Sequence, residues 1–218
     1  MPHLATDVEK EISVSRYKTM DYEQAWQLQR ELHTDVVNGI QKNSLLLLEH
    51  PSVYTAGRRT EEFERPQDGS NVIEVDRGGR ITWHGPGQLV GYPIIKLLEP
   101  TEVVGFVREI ESALINVCAE LGVNAVRIEG RSGVWIVDSH GDRKIAAIGV
   151  RVAKGVTMHG FAININPDLK AYDQIVACGI RDAQVTSLQK ELGRGITVDE
   201  ITHMIEAHVL KSLRKVCA

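Results

Sequence analysis

The sequence predicts an α/β fold in which a mixed sheet is packed by helices, with residues 1–218 forming one domain. Three observations lead there. Three stretches carry helix caps followed by apolar residues at helical spacing. The segments between them are short apolar or alternating runs broken by Gly, Pro and Asp, the pattern of strands and turns. One of those runs, residues 45–48, is Leu at every position, so that strand needs cover on both faces, which a sheet with helices on it supplies and an all-β sandwich does not.

The elements follow in chain order. Asp21 is placed to cap a helix, with Gln24 able to reach back, and Ala25, Leu28, Leu32 and Val36 share one face while the opposite face is polar. The strand at 45–48 comes next, then a strand at 72–75. Residues 76–88 (Asp-Arg-Gly-Gly-Arg-Ile-Thr-Trp-His-Gly-Pro-Gly-Gln) hold four glycines, which calls for unusual backbone angles or close approach of a ligand; an ornate hairpin turn would account for them equally well. A strand at 89–95 precedes the second helix, which opens near Thr101, sets Val103, Phe106, Val107, Ile110, Leu114, Val117, Cys118 and Leu121 on a stripe and stops at Gly122. That spacing puts Cys118 in the core. Strands follow at 134–137, 145–152 and 156–165. Thr197 and Glu200 form a capping box for the last helix, with Ile201, Met204, Ile205, His208 and Leu213 in a rough stripe, and His203 and His208 read as surface or packing residues.

Composition narrows the function. Twenty-five basic and 29 acidic residues give a net charge of −4 with no block of one sign, which speaks against a nucleic-acid or membrane-surface binder. No apolar run approaches the roughly 20 residues of a spanning helix, and a cytoplasmic address is expected. Three scattered cysteines, Cys118, Cys178 and Cys217, make no disulfide framework and no C-x-x-C pair. No metal is expected, since His50, His84 and Cys178 contain no short-spaced ligand pair.

Two further segments could carry chemistry. Lys144 precedes Ile145, Ala146, Ala147, Ile148 and Gly149, whose small members would leave room beside the backbone for an apolar ligand, although a solvated lysine beside a strand is common. Cys178 stands in a short loop-like segment before Gly179 and Ile180. A neutral thiol is a weak nucleophile, so a reactive Cys178 would need a nearby cation such as Lys144; otherwise it is a small packing residue. Arg58 and Arg59 follow a probable turn and stand either as solvated charges or as contacts to an acidic partner.

Taken together, Glu49-His50-Pro51-Ser52-Val53-Tyr54-Thr55-Ala56-Gly57-Arg58, Arg77-Gly78-Gly79 through His84-Gly85-Pro86-Gly87-Gln88, residues 144–151, His159-Gly160-Phe161-Ala162-Ile163-Asn164 and Cys178-Gly179-Ile180 resemble the lipoyl(octanoyl) transferase family, in the family's order and over most of the chain. The resemblance implies a biotin/lipoate protein ligase-like fold, with a mixed, mostly antiparallel sheet. It implies octanoyl transfer from acyl carrier protein to a lysine of lipoyl domains, those of 2-oxoacid dehydrogenase complexes and the glycine cleavage H protein, with no cofactor and no ATP; a monomer is the expectation, although the sequence does not give the oligomeric state. It assigns the acyl-thioester nucleophile to Cys178 and the residue that lowers its pKa to Lys144. Substrate binding falls to Arg77, Gly78, Gly79, Arg80, Ile81, Thr82, Trp83 and His84, to Ala147, Ile148 and Gly149, and to Gly160, Phe161 and Ala162. Ala177 departs from the proline that many members carry there. Of the histidines, His84 is the one expected in the site, while His159 could equally be structural. The competing functions are an ATP-dependent lipoate or biotin ligase, a non-catalytic acyl-binding module and a thioesterase.

Overall fold

The computed structural model describes residues 11–176 and 184–218. Along the chain lie β1 (Ser13–Thr19), α1 (Tyr22–Val37), β2 (Ser44–Glu49), β3 (Val53–Ala56), β4 (Val72–Glu74), β5 (Thr82–His84), β6 (Gln88–Ile94), α2 (Val103–Glu120), β7 (Val126–Ile128), β8 (Arg131–Asp138), β9 (Gly141–Ala153), β10 (Val156–Asn164), β11 (Gln184–Val185), α3 (Leu188–Leu192) and α4 (Val198–Leu213). The main sheet has the order β1-β2-β6-β10-β9-β8-β7, with β11 added on β9; β4-β3-β5 form a second, smaller sheet. Within the main sheet only the β1–β2 and β11–β9 pairings are parallel, so it is mixed and mostly antiparallel as expected.

The caps behave as the sequence predicts. Asp21 accepts hydrogen bonds from the backbone of Glu23 and Gln24 at 2.9 and 3.2 Å, and Thr197 and Glu200 form the reciprocal box that starts α4. The Leu45–Leu48 run is covered on both faces. Leu45 and Leu47 join one large apolar core with Phe106, Ile110 and Leu114 of α2 and Ile201, Ile205 and Val209 of α4. Leu46 and Leu48 join Ala25 of α1, Val90, Tyr92 and Ala162 in a small cluster on the opposite face. The helices α2 and α4 thus lie on one side of the main sheet and α1 on the other. Among the described residues, no helix is long and apolar enough to cross a membrane.

The elements that the sequence does not announce are short or edge-like. β1 reads Ser-Val-Ser-Arg-Tyr-Lys-Thr and is mostly exposed, so its pairing with β2 rather than an apolar pattern makes it a strand. β3 and β5 have four and three residues and pair with each other beside the glycine-rich segment.

Candidate active site

Two local devices build the site. The first is a bulge in β9. Val134 pairs with Ala146, but Trp135 pairs with Lys144, so β9 carries one extra residue at this point. Ile145 and Ala146 consequently both enter the α2/α4 core, and the alternation downstream is reset. Lys144 is thereby brought onto the same cavity as Ala147 and Gly149. An unbulged strand, with its period of two, would have sent Lys144 and Ala147 to opposite faces.

The second device is the parting of β8 from β9. At Gly133, φ is +115°, a Cβ would lie 2.5 Å from Ala146 O, and the backbone N–H is bound by Glu111 Oε1 at 2.9 Å, so β8 leaves β9 where only glycine fits. The edge of β9 so vacated is taken by the glycine-rich segment, with Gly78 N–H donating to Val150 O at 2.9 Å.

Between these two walls opens a cavity of about 300 Å³. The mouth is marked by exposed and half-exposed lining residues, Gly130, Arg131 and Ser132 on the β8 side and Arg59, Gly79 and Arg80 on the other. Its floor is made of small residues on adjacent strands. Ala147 stands opposite Ala162 and Gly149 opposite Gly160, and a Cβ on Gly160 would collide with Gly91 O and Pro93 Cδ of β6. Across the sheet the Ala147–Ala162 rung continues to Val90, and the inner end is closed by Val90, Tyr92, Tyr22 and His84.

Lys144 is 8% exposed, with Nζ 4.6 Å from the centroid of the Trp135 ring. Its carbonyl accepts from Thr186 N–H at 3.0 Å, and Val185 of β11 pairs with it, so the chain returns to Lys144 directly after residue 183. Thr186 is buried and tied further. Its carbonyl accepts from Asn164 Nδ2 at 3.0 Å, and its hydroxyl donates to Glu191, which Arg143 grips with Nε and Nη2 at 3.0 and 3.1 Å. The nucleophile candidate Cys178, with Gly179 and Ile180, lies outside the described residues, as does Ala177.

The inner end is a buried polar cluster. His50 Nδ1 faces Met20 O at 2.7 Å, a pure acceptor, so Nδ1 carries the proton and Nε2 accepts from the Tyr92 hydroxyl at 2.7 Å. His84 Nδ1 lies 2.7 Å from Gln88 Oε1, while Gln88 Nε2 bonds Asn164 Oδ1 and the Tyr172 hydroxyl, both at 2.9 Å. A continuous chain of hydrogen bonds therefore runs from His84 in the cavity wall through Gln88 and Asn164 to Thr186 beside Lys144. Burial pushes His50 down to about 4 and His84, helped by the neighbouring His50, down to about 3, so both imidazoles are neutral at pH 7. Burial pushes the Tyr22 hydroxyl up to about 12 and that of Tyr92 well above its ordinary value.

His159 stands in the cavity wall and is also tied into the structure by hydrogen bonds. It lines the cavity and has φ +58° within a strand, a conformation rare for a residue with a side chain. The turn is held by Gln29 Oε1, which accepts from its backbone N–H at 2.8 Å, and by Asp76 Oδ1, 2.7 Å from Nε2. Asp76 is also paired with Arg151. Burial lowers the His159 pKa against the pull of Asp76, whose own carboxyl is held below its usual range chiefly by that hydrogen bond.

Of the predicted substrate-binding residues, Arg77, Gly79, Arg80, Thr82, His84, Ala147, Ile148, Gly149, Gly160, Phe161 and Ala162 line the cavity. Gly78, Ile81 and Trp83 do not. Gly78 docks the segment on β9, Ile81 is fully buried, and Trp83 Nε1 donates to Ser52 Oγ at 2.9 Å while its ring meets Tyr172 edge-on. Arg77 lines the wall with its guanidinium committed inward, to Arg80 O and Thr55 O at 2.8 Å each. Arg80 binds Glu61 and the buried Glu64. Tyr22, Val90 and Tyr92 escape a reading of the sequence because each sits inside an ordinary apolar pattern of a helix or a strand.

Known proteins carry the same architecture. Residues 21–210 match the family model described as the lipoyl protein ligase A/B catalytic domain. A protein of Salinispora arenicola named octanoyltransferase is 59% identical over 206 residues, 94% of this chain and 97% of the relative, and one of Mycobacterium tuberculosis with the same name is 59% identical over 202 residues, 93% and 87% of the two chains. Among solved structures, a bipartite lipoate protein ligase of Thermoplasma acidophilum superposes with a TM-score of 0.70 at 18% identity, covering 93% of this chain and 84% of the other, and a biotin protein ligase of Aquifex aeolicus with 0.52 at 11%, covering 94% and 69%. With nearly all of α1 through α4 inside the matched region, the chain belongs to the lipoyl protein ligase A/B catalytic domain family.

Proposed function

We propose that this protein is an octanoyltransferase: it moves an octanoyl group from the thiol of acyl carrier protein to a lysine amine of a lipoyl domain, through a thioester on Cys178. The observation that carries the reading is the bulge-directed Lys144, held in the wall of a small-floored cavity by the backbone that emerges from the Cys178 segment at Gln184 and Val185. The octanoyltransferase name borne by relatives at nearly 60% identity over most of their length supports the acyl group and the reaction class.

The cavity is at the low end of ligand pockets, which run from about 300 Å³, a volume that suits one slender chain. Two interstrand steps separate β9 from β6, about 10 Å. A zigzag chain advances about 3.8 Å per three bonds, so the seven bonds of an octanoyl chain span about 9 Å. Burying its six methylenes contributes roughly 5 kcal/mol at about 0.8 kcal/mol each.

In the first half-reaction the Cys178 thiolate, stabilised by the Lys144 ammonium, attacks the donor carbonyl; the carrier thiolate leaves and takes the Lys144 proton. Now neutral, Lys144 accepts the proton of the acceptor amine as that amine attacks the acyl-enzyme. The C–S bond breaks, the Cys178 thiolate returns beside a Lys144 ammonium, and no ATP is consumed because an amide is more stable than the thioester it replaces. Gly78 N–H, already bound to Val150, is not free to stabilise the oxyanion.

Whole-protein mass spectrometry after mixing with octanoyl carrier protein, without ATP, tests the reading. The expected result is a mass gain of one octanoyl group that disappears in Cys178→Ala and is discharged by a lipoyl-domain acceptor. A strict requirement for ATP, or an adduct unchanged in Cys178→Ala, overturns it.

A further inference from the structure

The inner end of the cavity is unusual for a pocket that would hold hydrocarbon. Four rings meet there with no flexible aliphatic side chain among them. Tyr22 stacks on His84 at a centroid distance of 5.9 Å and 15° between planes, His50 stands edge-on to His84 at 5.8 Å, and Tyr22 and His50 lie 5.0 Å apart. Tyr92 completes the group, 5.9 Å from His50. We propose that this ring cluster is the acyl-length gauge of the enzyme, with Tyr92 as the stop and Tyr22 as its brace, so that a chain of about eight carbons fills the cavity and longer acyl groups are refused. The inference rests on the acyl-transfer reading above and deepens it.

Rigidity is what makes a stop out of a wall. A cavity end lined by Met or Leu yields to an extra methylene by changing rotamers. Here Tyr92 cannot swing aside without leaving His50 Nε2 unpaired, and His50 cannot follow, because its other nitrogen is fixed on Met20 O. Tyr22 is packed on His84 and His50 and is anchored at the first turn of α1 immediately after the Asp21 cap. His84 is fixed from behind by Gln88. On the hydrocarbon side the rungs Ala147–Ala162 and Gly149–Gly160 leave the floor open up to β6, and Val90 and Tyr92 are the first large side chains met there. The span from β9 to β6 and the length of an octanoyl chain agree to within about one C–C bond. Hydrophobicity alone would favour ever longer chains, so a preference for the shorter one needs such a stop.

The test is a competition among acyl carrier protein thioesters from six to fourteen carbons, read as the ratio of dodecanoyl to octanoyl on the acceptor lysine. The same ratio is read for binding of the free fatty acids to the full chain, which needs no transfer. Removing the stop in Tyr92→Ala is expected to raise the ratio by about tenfold or more, since single methylenes in a closed pocket are worth 10- to 200-fold. Tyr22→Ala moves it less, Tyr92→Phe, which keeps the ring but loses its bond to His50, raises it by less than Tyr92→Ala does, and Ala147→Val, which narrows the floor, shifts preference toward hexanoyl. Should Tyr92→Ala fail to fold, Tyr22→Ala and Ala147→Val carry the test. Ratios within about twofold of the unaltered protein in the folded variants, in transfer and in binding alike, overturn the gauge. Loss of transfer from every donor by the unaltered protein, with length-selective fatty-acid binding retained, would sink the transfer reading and leave the gauge standing.

Discussion

The two faces of the main sheet are built on different plans. Against α2 and α4 lies one continuous apolar core that runs from Ile12 to Cys217 and includes Phe106, Ile110, Leu114 and Val117, all fully buried. Against α1 the apolar residues form only two small clusters, and between and beside them lie the cavity and the buried polar groups Gln29, His50, His84, Gln88 and His159. Three of the five buried side-chain atoms without a partner among the described residues, Trp26 Nε1, Gln29 Nε2 and His159 Nδ1, also lie here. One face is therefore devoted to stability. The other gives up packing for space and for fixed hydrogen-bonded rings, a trade that a single-layer core could not sustain.

The largest effect should come from damaging the stabilising face. Phe106→Ala empties a fully buried site of α2 and is expected to cost about 3–5 kcal/mol in urea or thermal unfolding. The acyl-length preference of the protein that remains folded should be unchanged, because the cavity touches neither α2 nor α4. A shifted length preference in Phe106→Ala would show that the two faces are coupled.

On the cavity face the converse holds. Lys144→Ala removes one amine from the cavity wall and should leave the unfolding midpoint near its starting value while acyl transfer falls by about 10²–10⁴-fold. Lys144→Arg sharpens the point, since guanidinium supplies the charge but does not give up its proton. It should restore rapid alkylation of Cys178 and formation of the acyl-enzyme, the carrier thiolate taking its proton from water, and the acyl-enzyme then accumulates because the acceptor amine has no base. Ordinary turnover in Lys144→Arg would remove the base from the mechanism.

The difference between the faces also governs what could be read from the sequence. The stabilising face was open to inspection, because an α2 stripe at helical spacing and an all-Leu strand have few other uses, and Cys118 lies buried as its spacing predicts. The cavity face was nearly silent. The bulge that turns Lys144 lies in Ile145-Ala146-Ala147, where every residue is small or apolar and no period is visibly broken. Tyr92 sits in a strand buried at every position, and the pairing of Ala147 with Ala162 joins residues from different strands that only the register brings together. Glycine content singled out residues 76–88 and small residues singled out the stretch after Lys144, each with a bland reading beside it, and resemblance to a family raised them to site candidates without saying how they act. Trp83 and Ile81 came along with that segment and turn out to hold it from inside.

Acid should separate the faces most gently. His50 and His84 are neutral in the folded chain, with pKa values lowered to about 4 and about 3 from an ordinary value near 6.5, principally by burial. Between those limits the unfolded chain binds protons that the folded chain does not, so stability rises with pH there. The contribution is complete above about pH 6.5 and is lost as pH falls toward 4. For His50 alone the shift of about 2.5 units corresponds to about 3 kcal/mol by pH 4. Acid carries the paired carboxylates in the same direction, so the diagnostic quantity is a difference between proteins. His50→Gln should be less stable than the parent at pH 7, having lost the Met20–His50–Tyr92 bridge, and its stability should fall less steeply from pH 6.5 to 4. Equal slopes for His50→Gln and the parent in urea titrations at each pH would mean that the rings at the cavity's inner end do not resist protonation, and the contrast between a dry stabilising face and a buried, uncharged, polar one would have to be abandoned.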